Sequence, residues 1–484
     1  MSTLIDIESY IRRLIVRSYS RAKMLVEREG RPLPARWIFF RIRKYVDSFL
    51  RGSRENRLIL IPGLRGVGKT TLLWQLYKFL VERRNVDPRN ILVLPADELK
   101  LLNANIWMAL QAYEKVLETT FESLDKDVFI FIDEATFDPN WHLAVKASIY
   151  DKTDRIFTIV TGSSALGLRI TTDLARRSSI ERMYPLNYAE YLMLRFGLKP
   201  PRSFTSRLRE AIFEASSAKE AYSHLKTLDN DLMSLQLSLE EVDLKNHLGY
   251  FLKVGGLPFS AMEGESSLPK VYEVIERVIF HDLPALYNFD RETCEGALKF
   301  LALLSTRHPE KIAISNMSKA VGLSRQVMSN IVNALVNAEI IFPVLPHERG
   351  SSLVRKPKKY YFTTSVLRAA LLLNLGWSVE EEDVLGALLE DAVASSLHRL
   401  THTYVLTGMH YPSQGADIIA VIRHGETSQK IIPIEVSWGI KDKKQILKTI
   451  SALKAPYGII VDGSESPRFE DKVVWVPRHV FLLM

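Results

Sequence analysis

The chain has 484 residues, which is too long for one ordinary hydrophobic core, so we expect several domains. Hydrophobic residues make up 47% of it, yet no apolar run approaches the roughly twenty residues of a membrane-spanning helix. We therefore expect a cytoplasmic protein without a membrane partner. The single cysteine, Cys294, excludes an internal disulfide and a cysteine-based zinc site.

The net charge of +8 is concentrated at the N-terminus. Residues 1–57 contain fourteen Lys and Arg against six Asp and Glu, and the remainder is balanced. Two helices are predicted here, and their basic residues are Arg12, Arg13, Arg17, Arg21 and Lys23 on the first and Arg36, Arg41, Arg43 and Lys44, near Trp37, Phe39 and Phe40, on the second. Such a surface can contact nucleic-acid phosphates or another anionic surface. The alternative is a solvated helical layer packed on the next domain.

Residues 63–70 read GLRGVGKT and match the phosphate-binding pattern G-x-x-x-x-G-K-[ST]. An apolar run at 58–61 predicts a strand before the loop, and the spacing of apolar residues over 71–80 predicts a helix after it. In this setting backbone N–H groups and the helix dipole bind phosphates. Lys69 is predicted to contact the β- and γ-phosphates, and Thr70 to bind magnesium. The predicted nucleotide-binding set is Gly63, Gly66, Val67, Gly68, Lys69, Thr70 and Thr71.

A second apolar strand is predicted at 128–132 and ends in Asp133 and Glu134, which is the Walker B pattern. Asp133 is then a magnesium ligand, and Glu134 polarises the attacking water. The alternative is an acidic helix cap after a core strand. The phosphate-binding loop about sixty residues upstream favours the Walker B interpretation.

Another strand is predicted at 155–160, and Thr161 and Ser163 follow it. Either side chain is placed to reach the γ-phosphate. Arg176 and Arg177 come next, and either is a candidate arginine finger that acts on the nucleotide of a neighbouring subunit. The alternative for these arginines is an ordinary ion pair at the surface.

Residues 203–290 are predicted to be helical, with a break at GGLP (255–258), and to form a small lid. A helix-turn-helix follows at 314–321 and 324–338, and strands at 340–345 and 359–362 complete a winged helix. The candidate DNA contacts are Arg325, Gln326 and Asn330 on the second helix and Arg355 and Lys356 in the wing. Winged helices also serve as protein-contact modules, and that alternative stays open.

The last hundred residues predict a helix at 385–400, strands near 404, 418–422 and 431–436, a helix at 443–453 and a strand at 457–461. Three acids lie on these elements, namely Glu390, Asp417 and Glu435. Asp417 and Glu435 can meet at one magnesium site, as in restriction-endonuclease-like folds.

From about residue 30 to the end, the chain resembles the archaeal and bacterial AAA+-type P-loop ATPases whose C-terminal half joins a winged helix to a PD-(D/E)XK nuclease-like domain. The resemblance rests on the order and spacing of GLRGVGKTTLL, FIDEA, TGSSA, DLARR…YPLNYAEYL, GGLP and HDL. It implies an α/β fold, in which a P-loop NTPase parallel sheet with a helical lid precedes those two modules. The implied segments are a basic helical segment 1–57, an ATPase core 58–200, a lid 201–290, a winged helix 291–375 and a nuclease-like domain 376–484.

The resemblance also implies a function. ATP and Mg²⁺ are the implied cofactors, hydrolysis runs through Glu134, and Arg177 is the finger of a homo-oligomer. The nuclease-like part departs from the family, because Glu435 is followed by Val436 and Ser437 where Glu-x-Lys is expected. Lys441 or Lys443 can substitute for that lysine. A degenerate nuclease fold used for binding or assembly is nevertheless the favoured interpretation.

The leading hypothesis is an ATPase that couples ATP hydrolysis to conformational change and is associated with DNA. One alternative is a slow nucleotide-dependent signalling or assembly switch with protein partners. A further alternative is an ATP-gated DNA nuclease.

Overall fold

The fold was analysed in a computed structural model, which describes residues 2–162, 178–201, 203–238, 243–348, 356–403, 405–424 and 428–484. The chain forms two compact units, Met1–Tyr184 and Pro185–Met484. No helix in these described ranges is both long enough and apolar enough to cross a membrane.

The first unit is built around a five-stranded parallel sheet. Its elements in chain order are α1 (Ser2–Val26), β1 (Glu27–Arg28), β2 (Arg31–Pro32), α2 (Trp37–Leu50), β3 (Leu58–Pro62), α3 (Lys69–Arg84), β4 (Ile91–Pro95), α4 (Ile106–Leu117), β5 (Val128–Asp133), α5 (Trp141–Val145), β6 (Ile156–Gly162) and β7 (Ser179–Ile180). The strand order is β4-β5-β6-β3-β7. The strands predicted around the phosphate-binding loop and the Walker B acids are confirmed as β3 and β5.

Strand β6 lies between β3 and β5, and both pairings are parallel. Ile61 pairs with Thr161, and Ile132 pairs with Val160. Carboxyl ends of parallel strands meet at one edge of a sheet, which is where open α/β folds bind ligands. This register therefore brings the ends of three strands together.

The basic N-terminal segment is part of this unit. Helix α1 buries Ile7, Ile11 and Ile15, which recur every four residues and form a core cluster with sheet residues such as Leu92. Arg12, Arg13 and Arg17 lie on the exposed side. Helix α1 therefore packs on the sheet of the first unit, and contact of its exposed arginines with nucleic acid stays a prediction. Arg36 departs from the predicted basic surface, because it is buried.

The second unit begins with the helices expected for the lid region. These are α6 (Tyr188–Phe196), α7 (Phe204–Phe213), α8 (Ala218–Lys226), α9 (Asp229–Leu237), α10 (Leu244–Val254), α11 (Pro258–Glu263), α12 (Leu268–Arg277) and α13 (Leu283–Tyr287). The predicted break at 255–258 separates α10 from α11. A Cβ at Gly256 would collide with the Thr364 hydroxyl, so a residue without a side chain is needed there.

Two helices separated by a short turn lie where the helix-turn-helix was predicted. Helix α14 (Arg291–Ser305) and strand β8 (Lys311–Ile312) precede α15 (Ile314–Val321) and α16 (Arg325–Asn337). Gly322 adopts a φ of 83° at the turn, a conformation that favours glycine. Strands β9 (Ile341–Pro346) and β10 (Lys358–Phe362) pair antiparallel, as expected of a wing.

The C-terminal part contains α17 (Ser365–Asn374), α18 (Glu382–His402), β11 (Gly408–Tyr411), β12 (Ile418–His424), β13 (Ser428–Val436), α19 (Lys444–Leu453), β14 (Gly458–Asp462), β15 (Arg468–Glu470), β16 (Val473–Pro477) and α20 (Arg478–Phe481). The strand predicted near Tyr404 lies later, at β11, and Tyr404 itself is outside the described residues. Strands β15 and β16 were not predicted.

One sheet of nine strands joins the wing to the C-terminal part. Its order is β15-β16-β14-β13-β12-β11-β9-β10-β8. The junction is the parallel pair of β11 and β9, in which His410 lies opposite Leu345. The sheet therefore continues across the predicted boundary between residues 375 and 376.

Candidate functional site

The loop at 63–70 turns sharply between β3 and α3. Gly66 and Gly68 have φ values of 86° and 99°, which side chains other than that of glycine rarely allow. The Lys69 ammonium is buried and donates to the carbonyl oxygens of Gly63 at 2.9 Å and Leu64 at 3.3 Å. Val67 is buried in the loop, and Thr70 and Thr71 lie in the first turn of α3. The lysine is thus held inside the loop at the helix N-terminus.

Two hydroxyl groups flank the Asp133 carboxylate. Thr70 Oγ1 donates to Asp133 Oδ2 and Thr161 Oγ1 donates to Asp133 Oδ1, each at 2.6 Å. The Thr161 oxygen also accepts the backbone N–H of Glu134 at 3.0 Å. The ends of β5 and β6 and the start of α3 are therefore connected through one carboxylate.

Glu134 lies next to this network in a strained conformation. Its φ of 51° is in the left-handed region, which is uncommon for glutamate and is typical of functional sites. Its Oε1 lies 3.7 Å from Lys69 Nζ. Its Oε2 is buried and has no hydrogen-bond partner within the part of the chain that the structure describes. Glu134 Oε2 can therefore accept a hydrogen bond from a water molecule or ligand bound at this site.

Burial raises the pKa of Asp133, and the neighbouring Glu134 carboxylate raises it further, although the two hydroxyl groups and Lys69 act in the opposite direction. A buried carboxylate with little counter-charge favours a cation. The Thr70 hydroxyl and the Asp133 carboxylate are hard oxygen donors, the type that Mg²⁺ prefers. These residues fit a magnesium nucleotide bound at the loop.

The remaining residues that were predicted for the nucleotide site are Thr161, Ser163, Arg176 and Arg177. Ser163, Arg176 and Arg177 lie outside the described residues. Thr161 was a second candidate for contacting the γ-phosphate, but its hydroxyl is fully buried between Asp133 and Glu134. Thr161 therefore organises the acidic pair instead of pointing toward a ligand. The sequence predicts that Thr161 lies at a strand end, but its contacts with Asp133 and Glu134 become apparent only from the structure.

The three C-terminal acids lie near one another in the second unit. Ile418 pairs with Ile434 across β12 and β13, so Asp417 lies opposite Glu435 on one face. Asp417 Oδ2 accepts the backbone N–H of Val436 at 2.8 Å. Burial and the proximity of Asp417 raise the pKa of Glu390, which lies on α18. The same two causes raise the pKa of Glu435 to about 7.

Two lysines and a tyrosine contact these acids. Lys441 Nζ lies 3.1 Å from Glu435 Oε1, and Lys359 Nζ lies 3.5 Å from Glu390 Oε1. Tyr361 donates to Glu390 Oε1 at 2.8 Å. Lys443 instead pairs with Glu470 and Asp471. Lys359 and Tyr361 were not predicted, since they belong to strand β10, which comes close to α18 only in the folded chain.

Glu390, Asp417 and Glu435 were predicted as a possible magnesium site. Across the described ranges, no group of three or more His, Cys, Asp or Glu side chains is arranged to hold a metal ion. Burial raises the pKa of Asp417, and Lys359 and Lys441 counteract this rise. The ammonium groups thus supply positive charge at the acids themselves.

Helix α16 presents the predicted polar face. Met328, Ile331 and Leu335 are buried, whereas Arg325, Gln326 and Asn330 are exposed. Gln326 Nε2 donates to Asn330 Oδ1 at 3.2 Å. Lys356 pairs with Glu348, and Arg355 is outside the described residues. Arg325, Gln326 and Asn330 thus share the exposed face of α16.

Two family models match the chain. The model of an AAA domain matches residues 55–192, which include the phosphate-binding loop and the Walker B acids. A model described as a domain of unknown function (DUF8612) matches residues 246–378, from α10 to just beyond α17. The first match agrees with the parallel sheet of the first unit, so this part of the chain is an AAA-type P-loop NTPase domain.

Similar proteins were found among curated sequences and solved structures. An uncharacterized protein of Haemophilus influenzae is 21% identical over 333 residues, which are 67% of this chain and 71% of the relative. Among solved structures, that of C. elegans PCH-2 is 17% identical and covers 62% of this chain and 70% of its own. Its TM-score of 0.25 is too low to support an argument about the fold.

A third relative covers nearly the whole chain. The uncharacterized protein MJ1637 of Methanocaldococcus jannaschii is 32% identical over 445 residues, which are 92% of this chain and 88% of the relative. The chain thus belongs to the same family as MJ1637, with an AAA-type P-loop ATPase domain in its N-terminal part.

Proposed function

We propose that this chain binds ATP with Mg²⁺, hydrolyses it, and couples hydrolysis to a conformational change in association with DNA. The observation that carries the proposal is the network of Thr70, Asp133, Thr161 and Glu134 beside the buried Lys69. Such networks hold charged and polar groups in position before the reaction begins. This positioning is the main contribution of the protein to phosphoryl transfer.

Each residue of the network has one proposed role. Backbone N–H groups from Gly66 to Thr71 cradle the phosphates, and Lys69 exchanges its loop carbonyls for phosphate oxygens. Glu134 Oε2 accepts a hydrogen bond from the attacking water and orients it. Thr70 and Asp133 would hold Mg²⁺, which neutralises charge on the phosphates when it is bound.

Two further roles are proposed for residues outside the described ranges. Ser163 would contact the γ-phosphate, and Arg177 would act as a finger on the nucleotide of a neighbouring subunit in a homo-oligomer. Both positions follow β6, whose end already contributes Thr161 to the network.

The proposed association with DNA rests on two surfaces. The exposed face of α16 carries Arg325, Gln326 and Asn330, and α1 exposes Arg12, Arg13 and Arg17. Arginine and amide side chains suit base edges and phosphates. If these surfaces bind protein instead, the chain is a slow nucleotide-dependent assembly switch.

The C-terminal acids favour binding or assembly over cleavage. Glu435 lacks the lysine two positions later that the nuclease motif expects, and Lys441, whose Nζ lies 3.1 Å from Glu435 Oε1, would have to take over that role. An ATP-gated nuclease is therefore the less favoured alternative. Cleavage of DNA in Mg²⁺ or Mn²⁺ that is lost in Glu435→Ala would reverse this preference.

The test is steady-state ATP hydrolysis with Mg²⁺, in the presence and absence of single- and double-stranded DNA. Lys69→Ala is the blank, because it removes the phosphate-binding ammonium. Turnover above the blank that DNA stimulates supports the proposal. Slow turnover that DNA leaves unchanged, combined with an oligomer size that depends on nucleotide, supports the assembly switch.

A further inference from the structure

Arg36 differs from the other basic residues of the N-terminal segment. It immediately precedes α2 and is 7% exposed, whereas Arg41 and Lys44 on the same helix are exposed. Its Nη1 donates to the carbonyl oxygen of Val67 at 2.9 Å, and its Nη2 donates to the carbonyl oxygen of Tyr184 at 2.8 Å. One guanidinium group thus joins the phosphate-binding loop to a segment 148 residues away from Arg36 in sequence.

The segment around Tyr184 also contacts the other end of the loop. Met183 donates its backbone N–H to the carbonyl of Pro62 at 2.9 Å. A Cβ at Gly63 would collide with the Met183 carbonyl, so the two backbones approach closely. Residues 183–184 therefore contact the start of the loop directly, and Arg36 connects them to the middle of the loop.

The Val67 carbonyl belongs to the peptide unit whose N–H is that of Gly68. This unit turns about the bonds on either side of it, and one of them belongs to Gly68, whose φ of 99° only glycine adopts readily. A buried carbonyl requires a donor, and a charged donor makes a hydrogen bond roughly twice as strong as a neutral one does. Because hydrogen bonds polarise a peptide unit, a cation at the carbonyl strengthens the N–H at the opposite end as a donor.

We propose that Arg36 is a positioning residue of the nucleotide site, which fixes the Val67–Gly68 peptide unit so that the Gly68 N–H points at the phosphates. The inference rests on the proposed function, since it assumes that the loop binds a nucleoside triphosphate. The basic N-terminal segment then serves the phosphate site directly through one buried side chain.

The test compares Arg36→Met with Arg41→Met in the full chain. Arg41 lies on the same helix and pairs with Glu181 at 3.2 Å, with its side chain 44% exposed. The affinity for fluorescent methylanthraniloyl-ATP with Mg²⁺ is measured by titration, and thermal unfolding without nucleotide gives the folded fraction. Loss of the charge-assisted hydrogen bond to the Val67 carbonyl predicts an affinity lower by roughly tenfold or more in Arg36→Met and unchanged in Arg41→Met.

Arg36→Lys is the second variant, and it serves if Arg36→Met does not fold. A lysine keeps the charge but lacks the planar fork that reaches two carbonyls, so we expect an intermediate affinity. In the hydrolysis assay, KM should rise more than kcat falls. A purely structural role would lower the folded fraction and leave the affinity of the folded protein unchanged.

The outcomes separate the two claims. If the wild-type chain binds the analogue and both Arg36 variants bind it equally well, the inference about Arg36 is wrong and the proposed function stands. If the wild-type chain binds no analogue, the proposed function fails, and the inference fails with it.

Discussion

Thr161 shows how one hydroxyl group can organise a catalytic pair. It donates to Asp133 Oδ1 and accepts from the Glu134 backbone N–H, and thereby fixes both acidic residues relative to β6. The left-handed φ of Glu134 places its carboxylate beside Lys69. Backbone strain of this kind persists only where surrounding contacts determine it, and the Thr161 hydrogen bond is one such contact.

Replacement of Thr161 by valine should lower ATP turnover. The change keeps the branched shape but leaves a buried carboxylate oxygen and a backbone N–H without their partner. We expect kcat to fall by roughly tenfold to a hundredfold, since such losses cost about 1–3 kcal/mol. Steady-state kinetics, corrected for the folded fraction, provide the measurement.

Thr161→Ser is the matched control, because it restores the hydroxyl and should retain most of the turnover. ATP affinity should change little in either variant, since Lys69 and the loop are untouched. Wild-type turnover in Thr161→Val would remove the assigned role.

At the scale of elements, the local sequence predicts where a strand or helix lies along the chain, but it does not predict which other elements that strand or helix contacts. The loop at 63–70 and the apolar runs around it define β3 and α3, because glycines, a lysine and the hydrophobic spacing are all local signals. The packing of α1 is less apparent. Its Ile7, Ile11 and Ile15 predict a buried face, but no local signal identifies the sheet that covers it.

The pairing of β11 with β9 illustrates the same limit. Both segments are short, and their parallel contact joins residues about 65 positions apart. The hydrophobic pattern predicted β9 but placed a strand near residue 404 instead of at β11, and it identified the sheet neighbour of neither strand. Lys359 and Tyr361 at Glu390 were missed for a similar reason, since no local signal shows that β10 lies beside α18.

The exposed face of α16 gives a prediction at the same scale. Joint replacement of Arg325, Gln326 and Asn330 by alanine should weaken binding to double-stranded DNA by roughly tenfold, because one phosphate or base contact contributes about 1–3 kcal/mol. Fluorescence anisotropy at fixed salt measures the change. These side chains are exposed, so thermal stability should be unaffected.

The control for this experiment is Arg291→Ala. Arg291 begins α14 in the same unit, and its side chain is 90% exposed and pairs with Glu295. Equal affinities for the triple variant, the control and the wild-type chain would contradict DNA binding by α16 and favour a protein partner.

On the scale of the whole molecule, burial makes the ionised form of Glu435 unfavourable in the second unit. The pKa of Glu435 is raised from its ordinary value to about 7 by burial and by Asp417, although Lys441 opposes the rise and Asp442 adds to it. Folding therefore favours the protonated form. The contribution of Glu435 to stability is complete below its unfolded pKa of about 4.3 and is lost as pH rises through about 7.

Glu435→Gln should accordingly raise the unfolding temperature at pH 8 and change it little at pH 5. The glutamine stays neutral, so the cost of a buried charge disappears only where the glutamate would be ionised. Calorimetry in EDTA from pH 5 to pH 8 measures the effect. Glu465→Gln is the control, because that side chain is 89% exposed. An identical pH dependence in Glu435→Gln and the wild-type chain would refute this account of the acids.

The central claim is that the loop and the Walker B acids bind and hydrolyse ATP, and trapping of labelled ATP tests it most directly. Wild-type and Glu134→Gln chains are incubated with Mg²⁺ and radiolabelled ATP, separated from free nucleotide, and the bound nucleotide is analysed. We predict that the wild-type chain releases phosphate and retains ADP, whereas Glu134→Gln retains intact ATP, because its amide cannot act as the carboxylate does. Conversion of ATP by Glu134→Gln at the wild-type rate, or the absence of bound nucleotide in both, would contradict the account.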